Sequence, residues 1–164
     1  MNISTLKAIS PADGRYAEKL ENLRGIFSEY GLMSFRVLVE IRWLQCLSEE
    51  AAISELRPLT SDIKTELNHI IDDFSINDAE RIKEIEATTN HDVKAIEYFI
   101  REKLGSKSEA HKLKDFLHFA CTSEDINNLS YALMLRSARV DVLDPLMRNL
   151  RDKLANEAKE NADL

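Results

Sequence analysis

The sequence has few residues that interrupt helices and no spacing typical of metal sites. With 4 glycines and 3 prolines in 164 residues, few positions force a helix to end, which favours long helices. The 4 histidines and 2 cysteines show no zinc-ligand spacing. No phosphate-binding loop, dinucleotide fingerprint or nucleophile elbow occurs either. We therefore expect neither a metal nor an organic cofactor.

The charge balance and the short apolar runs exclude two classes of partner. A net charge of −7 argues against nonspecific nucleic-acid binding, which needs a basic face. No apolar run approaches the roughly 18 residues of a membrane span, and the N-terminus lacks the pattern of a signal peptide. Cys46 and Cys121 lie in apolar segments and are interpreted as reduced core thiols. We expect a cytoplasmic protein that binds neither nucleic acid nor membrane.

Apolar periodicity predicts an all-α fold. Helices are expected at about 29–51, 61–74, 76–86, 113–120 and 124–158. A further helix should lie between a capping box that starts at Thr89 and a stop at Gly105. The helix at 29–51 is apolar on two sides, which predicts burial between neighbouring helices. The polar stretch Ser106–Lys112 is expected to be a linker or surface loop.

The last predicted helix is the longest and carries two apolar stripes. One of them is a heptad seam in which Arg136 is the one polar member. Its apolar members are Ile126, Leu129, Leu133, Val140, Leu143, Met147, Leu150 and Leu154. Pro145 lies off this seam, where a kink is expected. Since one chain of this length cannot cover both stripes, we expect either the front part of a longer protein or association through this helix.

Three polar clusters are candidates for chemistry, and each has a structural alternative. Residues 13–16, DGRY, form either a surface turn or a loop that brings a guanidinium and a phenol to an anion. Residues 88–92 either cap the next helix or place His91, in its first turn, beside an anion. Residues 122–125 have the form of a capping box, yet a helix start with two hydroxyls also offers donors to an anion. His118 is interpreted as a packed histidine, with a weaker case for ligand contact.

Four segments, read in order, resemble one enzyme family. They are ISPADGRY, IFSEYGLMSFRVLVEIRWL, TTNHDVKAIEYF and FACTSEDINNLSYALML, and together they resemble the bacterial adenylosuccinate lyases of the fumarase/aspartase superfamily. The resemblance implies elimination of fumarate from adenylosuccinate, giving AMP, and from succinylaminoimidazole carboxamide ribotide in purine biosynthesis. Because such lyases are longer, it also implies an N-terminal helical domain at 1–111 and the start of a central helical bundle at 112–164.

The resemblance further implies a set of substrate-binding residues. They are Arg15, Tyr16, Asn90, His91, Asp92, Thr122 and Ser123. By this resemblance the first two contact the nucleotide, the next three line the substrate site with the histidine orienting the substrate, and the two hydroxyls hold the succinyl end. The superfamily's general acid, a histidine, and general base, a serine, lie in segments that do not occur before Leu164. The isolated chain is therefore expected to be inactive.

The resemblance also implies an assembly, a homotetramer whose active sites combine residues of several subunits. The residues alone leave another class of function open. A small all-helical interaction module could use the same apolar stripes to bind a partner helix. The presence or absence of the acid and base segments beyond Leu164 distinguishes the lyase from the module.

Overall fold

The computed structural model describes residues 5–105 and 109–163, and within these ranges it contains helices and no β-strand. The α-helices are α1 (Glu21–Phe27), α2 (Glu29–Leu47), α3 (Ser61–Asp72), α4 (Ile76–Thr89), α5 (Asp92–Lys103), α6 (Ser123–Ser137) and α7 (Asp144–Glu160). Short 3₁₀-helices span Thr5–Lys7, Ala17–Leu20 and Glu109–Phe116, and a π-helical segment spans Ala138–Leu143. The predicted all-α class is confirmed.

Small polar side chains start several of these helices. The hydroxyls of Ser28, Thr60 and Ser75 each accept a hydrogen bond from a backbone N–H in the first turn of the helix that follows. Such caps satisfy N–H groups that would otherwise have no partner within the helix. At the other end of α5, Gly105 adopts a φ of 56°, the left-handed conformation that glycine permits. The predicted stop at Gly105 is confirmed.

Helix α2 lies at the centre of the fold and packs against α1, α3, α4, α5 and α6. Its main apolar stripe, Met33, Val37, Ile41 and Leu44, is at most 4% exposed. These side chains join a core with apolar residues of α3, α4, α5 and the 3₁₀-helix at 109–116. Burying each such side chain stabilises the fold by roughly 1.5–3 kcal/mol, so α2 is the element around which the rest is arranged.

The second apolar stripe of α2, formed by Phe35, Val39, Trp43 and Cys46, is only partly covered. Val39 is buried, but Cys46 is exposed. The other cysteine, Cys121 before α6, is half-buried. The interpretation of Cys46 as a core thiol is wrong, because none of the described elements covers its position near the end of α2. Apolar periodicity predicts which side chains share a face of α2, but it does not show where along the helix the neighbouring elements stop covering that face.

The segment before α6 is wound more tightly than the predicted α-helix. The helix predicted at 113–120 is instead a 3₁₀-helix at Glu109–Phe116 followed by a turn. His118 and Ala120 both have a φ of 59°, which a helix cannot accommodate. Residues 106–108 of the predicted linker lie outside the described residues.

Helix α6, the π-helical segment and α7 form one continuous helical run from Ser123 to Glu160. Pro145 lies in the first turn of α7, directly after the π-helical segment. A proline inside a helix removes one hydrogen bond and clashes with the carbonyl four residues earlier. The backbone accommodates this defect in the wider π turns. Where a kink was expected at Pro145, the structure therefore has a local change from α-helix to π-helix.

Much of this long helix is exposed despite its apolar stripes. Its exposed apolar side chains, each 47–66% accessible, are Leu129, Tyr131, Leu135, Val140, Leu143, Leu146, Met147, Leu150 and Leu154. No residue of α7 is buried. Within the described residues, no helix combines the length and apolar character needed to cross a membrane.

Candidate functional site

The N-terminal turns of α5 and α6 meet on the surface of α2. Val93 near the start of α5 and Ile126 near the start of α6 are each 1% exposed, and they pack together with Val39 of α2. The start of a helix presents unpaired N–H groups and the positive end of its dipole. Two such ends placed side by side form a surface that favours anions.

Arg36 of α2 joins these two helix starts. Its side chain is 7% exposed, and its Nη2 lies 2.7 Å from Oδ2 of Asp92 in the first turn of α5. Its Nε donates a hydrogen bond of 2.9 Å to Oδ1 of Asn127 in α6. Partial burial acts to raise the pKa of Asp92, but the N–H of Val93 and the Arg36 guanidinium together hold that pKa below its usual value. The arginine therefore fixes one helix start relative to the other.

His91 caps α5 with its ring. Helix α4 continues through Thr89, Asn90 ends it with a φ of 51°, and His91 is the capping residue before Asp92. The expected capping box at Thr89 and the placement of His91 within the first turn are wrong, because α4 runs further than predicted and leaves a connector of two residues. Asn tolerates the left-handed conformation that so short a connector requires.

The cap fixes which nitrogen of His91 faces outwards. Its Nδ1 accepts a hydrogen bond of 3.2 Å from the backbone N–H of Lys94. In a neutral imidazole the other nitrogen, Nε2, then carries the proton. With the side chain 51% exposed, this Nε2–H is a donor available to a ligand.

Thr122 and Ser123 differ in how free their hydroxyls are. The predicted capping box at Thr122 is confirmed: its hydroxyl accepts from the N–H of Asp125 and donates to that carboxylate, with Oγ1 2.8 Å from Oδ2. The backbone N–H of Thr122, followed by its hydroxyl, lowers the pKa of Asp125. Among the described residues, the Ser123 hydroxyl has no hydrogen-bond partner. Ser123 is therefore the freer donor of the pair.

Arg15 and Tyr16 lie in an exposed turn. The guanidinium carbon of Arg15 is 5.4 Å from the centre of the Tyr16 ring, a cation–π contact. Within the described residues, no hydrogen bond or ion pair joins either side chain to the starts of α5 and α6. The structure thus brings two of the three predicted clusters into contact and shows no such bond to the third among the described residues.

A buried acid adjoins the same surface. Glu40 of α2 is 0% exposed, and its Oε1 lies 2.6 Å from Nδ1 of His118. With Cys121, these residues have ligand atoms within 4.8 Å of one another, a spacing that the sequence did not reveal. Burial, together with the nearby charge of Glu40, raises the pKa of the Cys121 thiol to about 11. The expectation of no metal stays a prediction.

Comparison with known proteins gives the family. Residues 14–164 match the protein family described as "Lyase", and the chain belongs to this lyase family. It is 54% identical over 164 residues to the adenylosuccinate lyase of Escherichia coli (strain K12), covering 100% of this chain and 36% of that protein. It is also 54% identical over 160 residues to the adenylosuccinate lyase of Haemophilus influenzae, covering 98% of this chain and 35% of that protein. The chain thus spans about a third of the length of these curated relatives.

Proposed function

We propose that this chain is the N-terminal part of an adenylosuccinate lyase. In this proposal the whole protein eliminates fumarate from adenylosuccinate, giving AMP, and from succinylaminoimidazole carboxamide ribotide. The supporting observation is the pair of helix starts that Arg36 joins, with donors at their exposed edges. Both substrates carry a phosphate and two carboxylates, and such polyanions suit a surface with two positive helix ends.

Each residue of the surface has a distinct part in the proposal. The Nε2–H of His91 donates to a substrate oxygen and orients it, with Asn90 and Asp92 on either side. The Ser123 hydroxyl and the free N–H groups of α6 hold a carboxylate of the succinyl end, while the Thr122 hydroxyl shapes that helix start. Hydrogen bonds to a charged group contribute roughly 1.5–3 kcal/mol each, and a helix dipole adds about 0.3–1 kcal/mol.

The remaining parts of the active site belong to other segments in this proposal. Arg15 and Tyr16 contact the nucleotide portion of the substrate. The general acid and the general base, which each supply roughly 10²–10⁴-fold in rate, come from the rest of the protein. No cofactor takes part, since elimination of fumarate needs proton transfer and charge stabilisation alone.

We also propose the assembly and its location. The exposed apolar side chains between Leu129 and Leu154 are covered in a helical bundle shared by the four subunits of a cytoplasmic homotetramer. Residues 112–164 begin that bundle, and residues 1–111 form the N-terminal domain. Exposing so many apolar side chains to water is unfavourable by about 25 cal/mol per Å², which supports a covering partner.

The test is fumarate release by the full-length protein. Parent protein should convert adenylosuccinate to AMP and fumarate, and Ser123→Ala should lower kcat/KM by at least about tenfold through loss of one charge-assisted donor. Ser54→Ala, an exposed serine in the loop before α3, is the matched control and should stay within twofold of the parent. Absence of turnover in the parent contradicts the proposal and favours the interaction module, which the exposed apolar face of the long helix also fits.

A further inference from the structure

The polar face of α2, formed by Arg36, Glu40 and Trp43, faces both halves of the candidate site. Arg36 holds the starts of α5 and α6, and the other two residues hold the turn before α6. Glu40 is the most buried of the three at 0% exposure. Removing a carboxylate from water costs free energy unless the carboxylate is paired, so Glu40 is expected to have a polar partner.

His118 is that partner. Nδ1 of the imidazole lies 2.6 Å from Oε1 of Glu40, while Oε2 of Glu40 has no hydrogen-bond partner among the described residues. The polar contacts of the buried acid that the structure describes therefore come from His118, through its ring and its backbone. The ring itself is 21% exposed, so it connects the buried carboxylate with the surface.

The turn that carries His118 is held in a strained conformation. His118 and Ala120 both have a φ of 59°, a left-handed value that costs a residue with a Cβ roughly 1–3 kcal/mol unless its surroundings enforce it. Trp43 enforces it from α2, because its Nε1–H donates a hydrogen bond of 2.7 Å to the carbonyl of Phe119. The polar face of α2 thus fixes both the backbone and the ring of this turn.

The ring also lies near the start of α6. After the hydrogen bonds from the N–H and hydroxyl of Thr122, the charge of His118 contributes to lowering the pKa of Asp125. Thr122 follows His118 by four residues, with the turn and Cys121 between them. A cationic ring at this place would strengthen the attraction of the helix start for an anion.

We propose that Glu40 is a positioning residue for the lyase reaction, which accepts a hydrogen bond from Nδ1–H of His118 and thereby directs Nε2 to the start of α6. The buried carboxylate thereby sets the orientation in which the ring meets a substrate group at that helix start. A carboxylate behind an imidazole fixes the tautomer and the orientation of the ring. This inference rests on the proposed function, since it concerns the same substrate surface.

Steady-state kinetics of the full-length protein test it. Glu40→Gln keeps the size of the side chain and removes its charge, so we expect kcat/KM for adenylosuccinate to fall about 10–100-fold. His118→Gln should have a similar effect, and the double variant should lose no more than the more severely affected single variant, because both changes break one unit. Glu49→Gln is the control: Glu49 lies exposed just after α2 and pairs with Lys64, so the activity of this variant should stay within threefold of the parent. Losses that multiply in the double variant overturn the proposal.

A second measurement does not depend on activity or on any variant folding. The ¹⁵N shifts of the His118 ring in the parent chain report which nitrogen carries the proton, and the proposal requires Nδ1. A ring protonated on Nε2 alone overturns it. An inactive parent protein would refute the proposed function, whereas the ring nitrogens would still decide whether Glu40 holds His118.

Discussion

Replacing Arg36 should separate the two helix starts. In Arg36→Met the apolar volume stays, while Asp92 and Asn127 lose their shared partner. The bond to Asp92 is charge-assisted, but the carboxylate is 51% exposed, so solvent screening places its contribution at the low end of roughly 1.5–3 kcal/mol. The bond to Asn127 adds about 1 kcal/mol. We expect a loss of about 2–4 kcal/mol in the free energy of unfolding.

Thermal unfolding followed by circular dichroism measures this loss. For a chain of this size, each kcal/mol corresponds to roughly 2–4 °C in Tm, so Arg36→Met should melt about 5–15 °C below the parent. Arg42→Met is the control, because Arg42 is exposed on the same helix and, among the described residues, hydrogen bonds only to the side chains of Gln45 and Asn68. The control should lose less than about 1 kcal/mol. Equal melting of the two variants would refute the role of Arg36 as a joint between α5 and α6.

Three further predictions concern acid stability, thiol reactivity and assembly. Partial burial acts to raise the pKa of Asp78, but its lysine and serine partners lower that pKa overall. The stabilisation that Asp78 contributes should therefore be present above pH about 4 and be lost as the pH falls below that value. Parent and Asp78→Asn should differ in Tm at pH 7 and converge near pH 2. In Cys46→Ser, the rate at which the remaining thiol of Cys121 reacts with a thiol reagent should still rise about tenfold per pH unit above the usual thiol pKa of about 8.5, towards its own pKa of about 11. A plateau near the usual value would contradict its burial. Leu143→Glu should reduce the sedimentation coefficient of the full-length protein, whereas unchanged assembly would mean that this face is not an interface.

Local chemistry was enough to predict much of the helical framework. The capping box at Thr122 and the glycine stop after α5 depend on residues a few positions apart, so they can be read from neighbouring side chains. The cap at His91 could not be predicted in this way, because Thr89, Asn90 and His91 can each adopt the conformation of a helix terminus. The length of α4 decides among them, and that length depends on its packing with α5.

The contacts of the polar face of α2 could not be predicted from the sequence, for a related reason. Arg36 and Glu40 stand within an apolar segment, which signals buried charges but not their partners. Asp92, Asn127 and His118 lie far along the chain, and only the packing of α5 and α6 on α2 brings them close. Sequence periodicity shows which face of a helix is buried, but it does not show which polar groups meet there.

The proposed function depends above all on the starts of α5 and α6 binding the anionic substrate. His91→Asn tests it most directly, because asparagine is a good helix cap and yet removes the Nε2–H that faces outwards. In the full-length protein, we predict that kcat/KM for adenylosuccinate falls at least about tenfold, as expected for one lost charge-assisted hydrogen bond, while Tm stays within about 3 °C of the parent. Unchanged turnover combined with a Tm lower by many degrees would assign His91 to the fold and contradict the account.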